Sequence, residues 1–423
     1  MKGFSLLITL CAIPLLAAAQ PVPAPANSCL KLNDAFTSAL RRSEDLAIKG
    51  ETVAGLEAKI SALTANLLPG IDLTASRLWQ DKGGQSSVQS PTSQAAISAS
   101  QSLFSGMKDI LSVKAARSQK ESAELDLARA RQLLYRDVTR AYLDLLSVDH
   151  EVDIRRAQID LTRERLKELE AREKIGRSRM SELLAARSQL AQDEAQLQNA
   201  YGLRKLYLRT LGFLTGAEET APSCEISIPA DTGLAPYLEF AATRPDVQAR
   251  RRALASYEFS LDAEKGQRWP SLDLGGDYYL KRPKAQEKIH WGVGLSASLP
   301  LYSGGAITAG IKSAEALSRS ARQTLSLAVR QAELEIKTAY DGLQTGLAVA
   351  DSLDKARALA QANAEAQMAD YKLGLVTNLD ALTSLKTMQD TALALDRARI
   401  DVFWAQTLLE TAAGRDREGI LTP

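Results

Sequence analysis

The chain has 423 residues, 45% of them hydrophobic, and its 52 Lys and Arg nearly balance 51 Asp and Glu for a net charge of +1. That is apolar material enough for a large core, without the basic excess that nucleic-acid binding needs, so nucleic acid is not expected as a partner. His150 and His290 stand alone, and no phosphate loop, nucleophile elbow or ligand-spaced cluster occurs, so the reading is of a non-enzyme with no metal site and no cofactor.

The chain opens MKGFSLLITLCAIPLLAAAQ: Lys2, an apolar run from Phe4 to Leu16, then Ala17-Ala18-Ala19 as a small-residue cleavage pattern. Residues 1–19 are read as a signal peptide and 20–29 as a linker. The run is too short for a membrane-spanning helix, and a proline-rich polar stretch comes after it. Export places Cys29 and Cys224 in an oxidising compartment, once Cys11 has left with the signal. They form a disulfide or remain two free thiols, and spacing does not decide between the two. A lipid anchor on Cys29 is disfavoured by Ala26-Asn27-Ser28, which lacks the usual apolar residue upstream.

An internal duplication organises the remainder. One constant offset sets Gly106 on Gly304, Tyr142 on Tyr340, Gly176 on Gly374 and Gly216 on Gly414. At a slightly larger offset, Pro69-Gly70-Ile71-Asp72-Leu73 matches Pro270-Ser271-Leu272-Asp273-Leu274. Two repeats are expected, 30–225 and 226–423, with the join near Cys224.

Each repeat begins with a short helix and then a pair of strands. Ile71, Leu73 and Ala75 alternate with Asp72, Thr74 and Ser76, and Ile97, Ala99 and Leu103 alternate with Ser98, Ser100 and Ser102. In the second repeat Leu272, Leu274, Tyr278 and Leu280 oppose Asp273, Asp277 and Lys281. Likewise Trp291, Val293, Leu295, Ala297, Leu299 and Leu301 oppose small or polar residues. Strands are expected at about 70–79, 95–104, 271–281 and 289–301, each long enough to cross a bilayer when tilted. Polar links join the members of each pair, and Trp79, Tyr278, Tyr279, Trp291, Phe104 and Tyr302 cluster near strand ends as interfacial aromatics do. The same alternation also permits a small soluble sandwich. Four strands cannot close a barrel alone, so they form an isolated sheet or several protomers pool strands.

After Phe104-Ser105-Gly106 and Tyr302-Ser303-Gly304 the pattern becomes helical, with no proline from 92 to 221 or from 301 to 422. These Ser-Gly pairs are read as joints, with the change from strand to helix at Gly304. The helix from about Gly106 to Lys174 would be on the order of 100 Å long. Val138, Leu145, Val152, Ile159 and Leu166 recur every seven residues as a coiled-coil seam, with charges such as Arg155, Arg163, Arg165 and Glu168 read as surrounding it. The pattern breaks at Gly176 and Gly374 and then resumes, so each repeat contains a helical hairpin turning there. The fold class expected is mostly α, with a small transmembrane β part.

The duplicated order of elements, LPLYSGG, YKLGLVTNLDALTSLKT and the final LLETAAG together resemble the TolC family of outer-membrane efflux channels, over about Leu30 to Gly414. The resemblance implies a homotrimer closing a twelve-stranded outer-membrane β-barrel over a periplasmic helical tunnel. It implies a passive exit duct for efflux or type I secretion, opened at its helical tip by a periplasmic adaptor and an inner-membrane pump. It also implies a constriction at Asp380, Glu182, Tyr371 and Ser181, with a ring of carboxylates attracting cations at the neck; the alternative is that Asp380 and Glu182 are solvated helix charges. Tyr371 and Glu182 match positions that link hairpins in the closed state, and Tyr371→Phe or Glu182→Ala is expected to loosen the tip. A second such link lacks its basic partner, since Val376 stands there opposite Ser181. The adaptor-facing tip is expected at Gly176, Arg177, Arg179, Gly374, Leu375 and Thr377. The rival from another class is a soluble periplasmic coiled-coil scaffold.

Overall fold

The computed structural model describes residues 30–79, 92–176, 178–216, 233–283 and 288–415. The signal peptide and linker, Cys29, Cys224 and Arg177 lie outside the described residues.

Eight helices and four strands are described: α1 (Leu32–Arg42), α2 (Glu44–Ala65), β1 (Gly70–Leu78), β2 (Thr92–Ser105), α3 (Lys108–Lys174), α4 (Met180–Thr215), α5 (Ala235–Leu238), α6 (Pro245–Gly266), β3 (Ser271–Lys281), β4 (Trp291–Ser298), α7 (Ala306–Lys372) and α8 (Asn378–Ala413). The repeat holds at the level of helix ends: Lys108, Lys174, Met180 and Thr215 have Ala306, Lys372, Asn378 and Ala413 as counterparts at the offset that relates Gly106 to Gly304. The single short helix expected before the strands is a pair, split in repeat one at Ser43, whose hydroxyl accepts from Leu46 N–H at 3.4 Å and starts α2.

The long helices α3 and α7, of 67 residues each, are stable only because they pack, since no isolated helix with so weak an apolar stripe persists on propensity alone. Val138, Leu145, Val152 and Ile159 are all buried on the expected seam. Beside it runs a second, polar stripe at the same period: Glu151, Gln158, Thr162 and Arg165 are buried as well. Arg165 is therefore not a charge at the edge of the seam. Near the tip Leu166 is only half-buried, and burial stays with Leu169, which continues the row of Ala141, Val148 and Thr162 at the same period of seven. No described helix is long and apolar enough to cross a membrane.

The strands form one antiparallel meander, β1-β2-β3-β4. The register carries Leu73, Ile97, Tyr278 and Trp291 across one face in a single rung, and Asp72, Ser98, Asp277 and Gly292 across the other. On the polar face the Ser98 hydroxyl donates to Asp277 Oδ1 at 2.6 Å. The apolar face is bare: Ile71, Leu73, Trp291, Val293 and Leu295 are each more than 60% exposed. β1 and β4 are edge strands.

Two expectations fail in this region. β4 ends at Ser298, not at Leu301, and α7 starts at Ala306, so Gly304 lies in a turn between them. Pro300 has no N–H to donate and stops the ladder early. Lys281 does not stay on the face of Asp277: a bulge between Ala95 and Ala96 pairs Lys281 with Ala95, which also pairs with Ala75, and so turns it to the apolar face.

At the joints, Gly304 and Gly305 have φ of +62° and +87°, and Gly106 and Met107 have +66° and +65°. Ser105 Oγ donates to Asp109 Oδ2 at 2.5 Å, tying the strand end to the first turn of α3, whereas Ser303 is exposed. Gly106 also meets the end of α6: a Cβ there would lie 2.9 Å from the Gly266 carbonyl carbon and closer still to its oxygen. The two repeats thus cross backbone to backbone where the sheet meets the helices.

At the far end of α8 the motif LLETAAG is sealed by side chains. Arg129 donates to the Thr411 carbonyl at 2.6 Å, Gln132 to that of Gly414 at 2.9 Å and Arg244 to that of Ala412 at 3.0 Å. These satisfy carbonyls that a helix end leaves open.

The helical tip as candidate functional site

Both hairpin turns are made by glycine in the left-handed region, Gly176 at φ +72° and Gly374 at +74°. Each closes its helix, Gly176 N–H donating to Glu173 O at 2.9 Å and Gly374 N–H to Tyr371 O at 3.0 Å. The two hairpins differ at the start of the returning helix. Thr377 caps α8 in a reciprocal box: Asp380 N–H donates to Thr377 Oγ1 at 3.3 Å, while Thr377 N–H and Oγ1 donate to Asp380 Oδ2 at 3.0 and 2.6 Å. The Thr377 hydroxyl, and then its backbone N–H, hold the exposed Asp380 carboxyl below its ordinary pKa. In repeat one Arg179 occupies the cap position and makes no side-chain cap. Glu182 accepts instead from the Ser178 hydroxyl at 2.7 Å.

Gly176, Arg179, Ser181, Gly374, Leu375, Thr377 and Asp380 are all exposed at this end, with Glu182 half-buried. Around them stand apolar side chains to which sequence reasoning assigned no role: Ile175, Met180, Leu373 and Leu379 are each more than half exposed. Ile175 and Leu373 are counterparts under the repeat offset, a signal that was available.

Tyr371 is buried and does not meet Glu182 within the protomer. Its ring carries two guanidiniums from α3: Arg165 at 3.9 Å and Arg172 at 5.0 Å from the centroid. Glu168 sits between them, accepting from Arg165 Nη1 at 2.6 Å and from Arg172 Nη2 at 2.5 Å. Arg165 Nε also reaches Asn378 Oδ1 at 3.3 Å, with Asn378 fully buried at the start of α8. This cluster clasps the α3–α4 hairpin to the α7–α8 hairpin. Sequence reasoning noted a base missing at Val376, opposite Ser181; the bases found at the tip, Arg165 and Arg172, come from α3 and meet Tyr371 instead. The signal that could have shown it is the four-three spacing of Glu151, Arg155, Gln158, Thr162, Arg165 and Leu169.

The seam between the hairpins is fastened again midway. His150 Nδ1 lies 2.9 Å from Asp396 Oδ1, and Glu151 accepts from both Arg155 Nε at 2.7 Å and Arg397 Nη2 at 2.6 Å. The hydrogen bond to Asp396, against the opposing effect of burial, raises the His150 pKa. Among the described residues no cluster of His, Cys, Asp and Glu could hold a metal. The arrangement is that of a mechanical joint: charge-assisted bonds between two rigid rods, near a polar and apolar tip.

A sequence profile of the family described as outer membrane efflux protein matches residues 36–217 and 237–415. The chain is 25% identical to the outer membrane protein TolC of Vibrio cholerae over 392 residues, 87% of each chain. Among solved structures it is similar to the channel protein CusC, with a TM-score of 0.83 at 17% identity over 94% of this chain and 98% of that one. The outer membrane protein VceC of Vibrio cholerae gives 0.81 at 21% identity, over 92% and 97%.

Proposed function

The chain belongs to the outer membrane efflux protein family, an exit duct of the outer membrane with its helices in the periplasm, and from that premise we propose that it works as a passive homotrimer opened at its tip. The observation that carries the trimer is the sheet: four strands with an apolar face and two free edges, β1 and β4. A spanning sheet in lipid must have no edges, and three copies joined β4 to β1 would leave none. The helices support the same assembly. Among the described residues α6 packs against both α3 and α7, whereas α2 packs against α3, so that α7 lacks the second such partner that the repeat gives α3. A neighbour's α2, which buries no residue within its own protomer, fits there.

In this reading the duct supplies no energy. An inner-membrane pump drives transport, and a periplasmic adaptor docks on the tip. The exposed Ile175, Leu373, Leu375 and Leu379 beside Arg179 and Asp380 give the adaptor apolar anchors with a charged rim. Asp380 and Glu182, tripled, would favour cations at the neck, and the Arg165–Tyr371 clasp resists outward movement of the second hairpin. The two repeats run 30–225 and 226–423. A soluble scaffold is not favoured, because it would leave the apolar sheet face in water. Mass measurement of the detergent-extracted full chain tests the assembly: three copies are expected, whereas a monomer, or a trimer released into buffer without detergent, would overturn it.

A further inference from the structure

The strand ends remote from the helices differ in charge from the rest of the sheet. On β1–β4 the carboxylates, Asp72, Asp273 and Asp277, all lie on the polar face, and none stands at an outer strand end beyond the Tyr278–Trp291 rung. At the outer ends the charged side chains among the described residues are all basic: Arg77, Lys281, Arg282 and Lys288. The connecting segments add Lys82 and Lys284 against Asp81 and Glu287 and do not cancel that excess.

Two of these cations are aimed at the apolar face. Arg77 shares a face with Ile71, Leu73 and Ala75, and its guanidinium lies over the Trp79 ring at 5.2 Å from the centroid. Lys281 would point to the lumen on a regular strand, and the bulge at Ala95 and Ala96 turns it outward, paired with Ala95 and in line with Ala75. Arg282, the next residue, is left on the inner side and stacks over Tyr279 at 3.6 Å. Two strand spacings and two residues of rise separate Arg77 from Lys281, which puts them roughly 12 Å apart. Just below them runs the aromatic rung of Tyr278 and Trp291, the level at which side chains meet the headgroup region. A lipid-facing lysine is tolerated there only because its head can reach the interface.

We propose that Arg77 and Lys281 form a binding surface for a lipid headgroup carrying two phosphates in the outer leaflet. Each cation takes one phosphate, and the acyl chains lie along the apolar face between Leu73 and Val293. The bulge then has a purpose, as it converts a lumen position into a second phosphate contact at the right spacing. This rests on the barrel reading, and the test separates the two.

The full-length protein is reconstituted in phosphatidylcholine nanodiscs doped with diphosphoryl lipid A or with its dephosphorylated form, and retained lipid is counted by native mass spectrometry. Wild type is expected to retain the diphosphoryl form in about tenfold preference or more. R77Q/K281Q should lose that preference, while R77K/K281R should keep it and so shows that charge, not folding, is responsible. Equal retention of the two lipids, undiminished preference in R77Q/K281Q, or displacement by millimolar inorganic phosphate, which would mark a free-anion site, each overturns the proposal. Conductance of the same samples in neutral lipid reads the barrel independently: its persistence alongside lost preference rejects the lipid site alone, and its absence rejects the barrel.

Discussion

Gly106→Ala puts a methyl group where the two repeats touch. The new Cβ would lie 2.9 Å from the Gly266 carbonyl carbon and 3.2 Å from Trp269 Cβ, at a residue with φ +66°. The left-handed conformation alone costs about 1–2 kcal/mol for a residue with a Cβ. Backbone cannot rotate away as a side chain does, so relief requires α6 or the β2–α3 joint to move, at about 1–3 kcal/mol for an overpacked contact. Together the cost is about 2–5 kcal/mol on these two grounds. Gly202→Ala is the control: it lies in regular α4 helix with nothing within 4 Å of its Cβ, and should stabilise by about 1 kcal/mol. Guanidinium unfolding in detergent, followed by far-ultraviolet circular dichroism, reads both. A Gly106→Ala midpoint at or above that of wild type would refute the crossing of the repeats as a tight backbone contact.

Arg165→Ala and Tyr371→Ala should each remove about 1–2 kcal/mol of clasp from a desolvated cation–π stack and raise single-channel conductance. Tyr371→Phe, expected from the family resemblance to loosen the tip, should instead resemble wild type, because it keeps the ring on which the guanidiniums stack; equal effects of Phe and Ala would place the lock on the hydroxyl. Arg244 is buried beside Asp246, Glu335 and the Ala412 carbonyl, at 2.7, 2.6 and 3.0 Å, so Arg244→Ala should cost about 1–3 kcal/mol, mainly through the partly buried Asp246 and the carbonyl it leaves unpaired, an outcome checked by the same unfolding assay. His150 has a raised pKa in the fold, with Asp396 as the leading cause and Asp149 and Asp153 adding to it. Its contribution is full below its ordinary value of 6.5 and fades as pH rises through the elevated folded value. The midpoint difference between wild type and His150→Gln should shrink from mildly acid to alkaline pH, and a difference that grows would contradict the pairing.

The repeat, the strands and the hairpin turns were legible because each rests on local pattern: a period of two, a period of seven, a glycine where the backbone must turn left-handed. β3 runs as expected from 271 to 281, and the helix ends of the two repeats correspond. What sequence hid is set by partners far along the chain. Arg165 looked like a solvated charge because its neighbours in sequence are charged; its burial is made tolerable by Glu168 on its own helix together with Tyr371 and Asn378 from the other repeat. The glycine at 106 read as a flexible joint, yet a carbonyl 160 positions onward at Gly266 imposes its lack of side chain. Lys281 changed face through one extra residue against β2, which alternation counted along a single strand cannot register. The early end of β4 was in principle readable, since Pro300 removes a ladder donor.

We propose that three copies of this chain enclose a pore through the outer membrane and hold it nearly shut by contacts between their hairpins. Single-channel recording of the full-length protein in planar lipid bilayers tests it directly. Wild type should give stable, cation-preferring steps of small conductance that become larger in Arg165→Ala. Absence of any conductance from correctly folded, membrane-inserted protein would contradict the duct, and steps unchanged by Arg165→Ala would contradict the clasp.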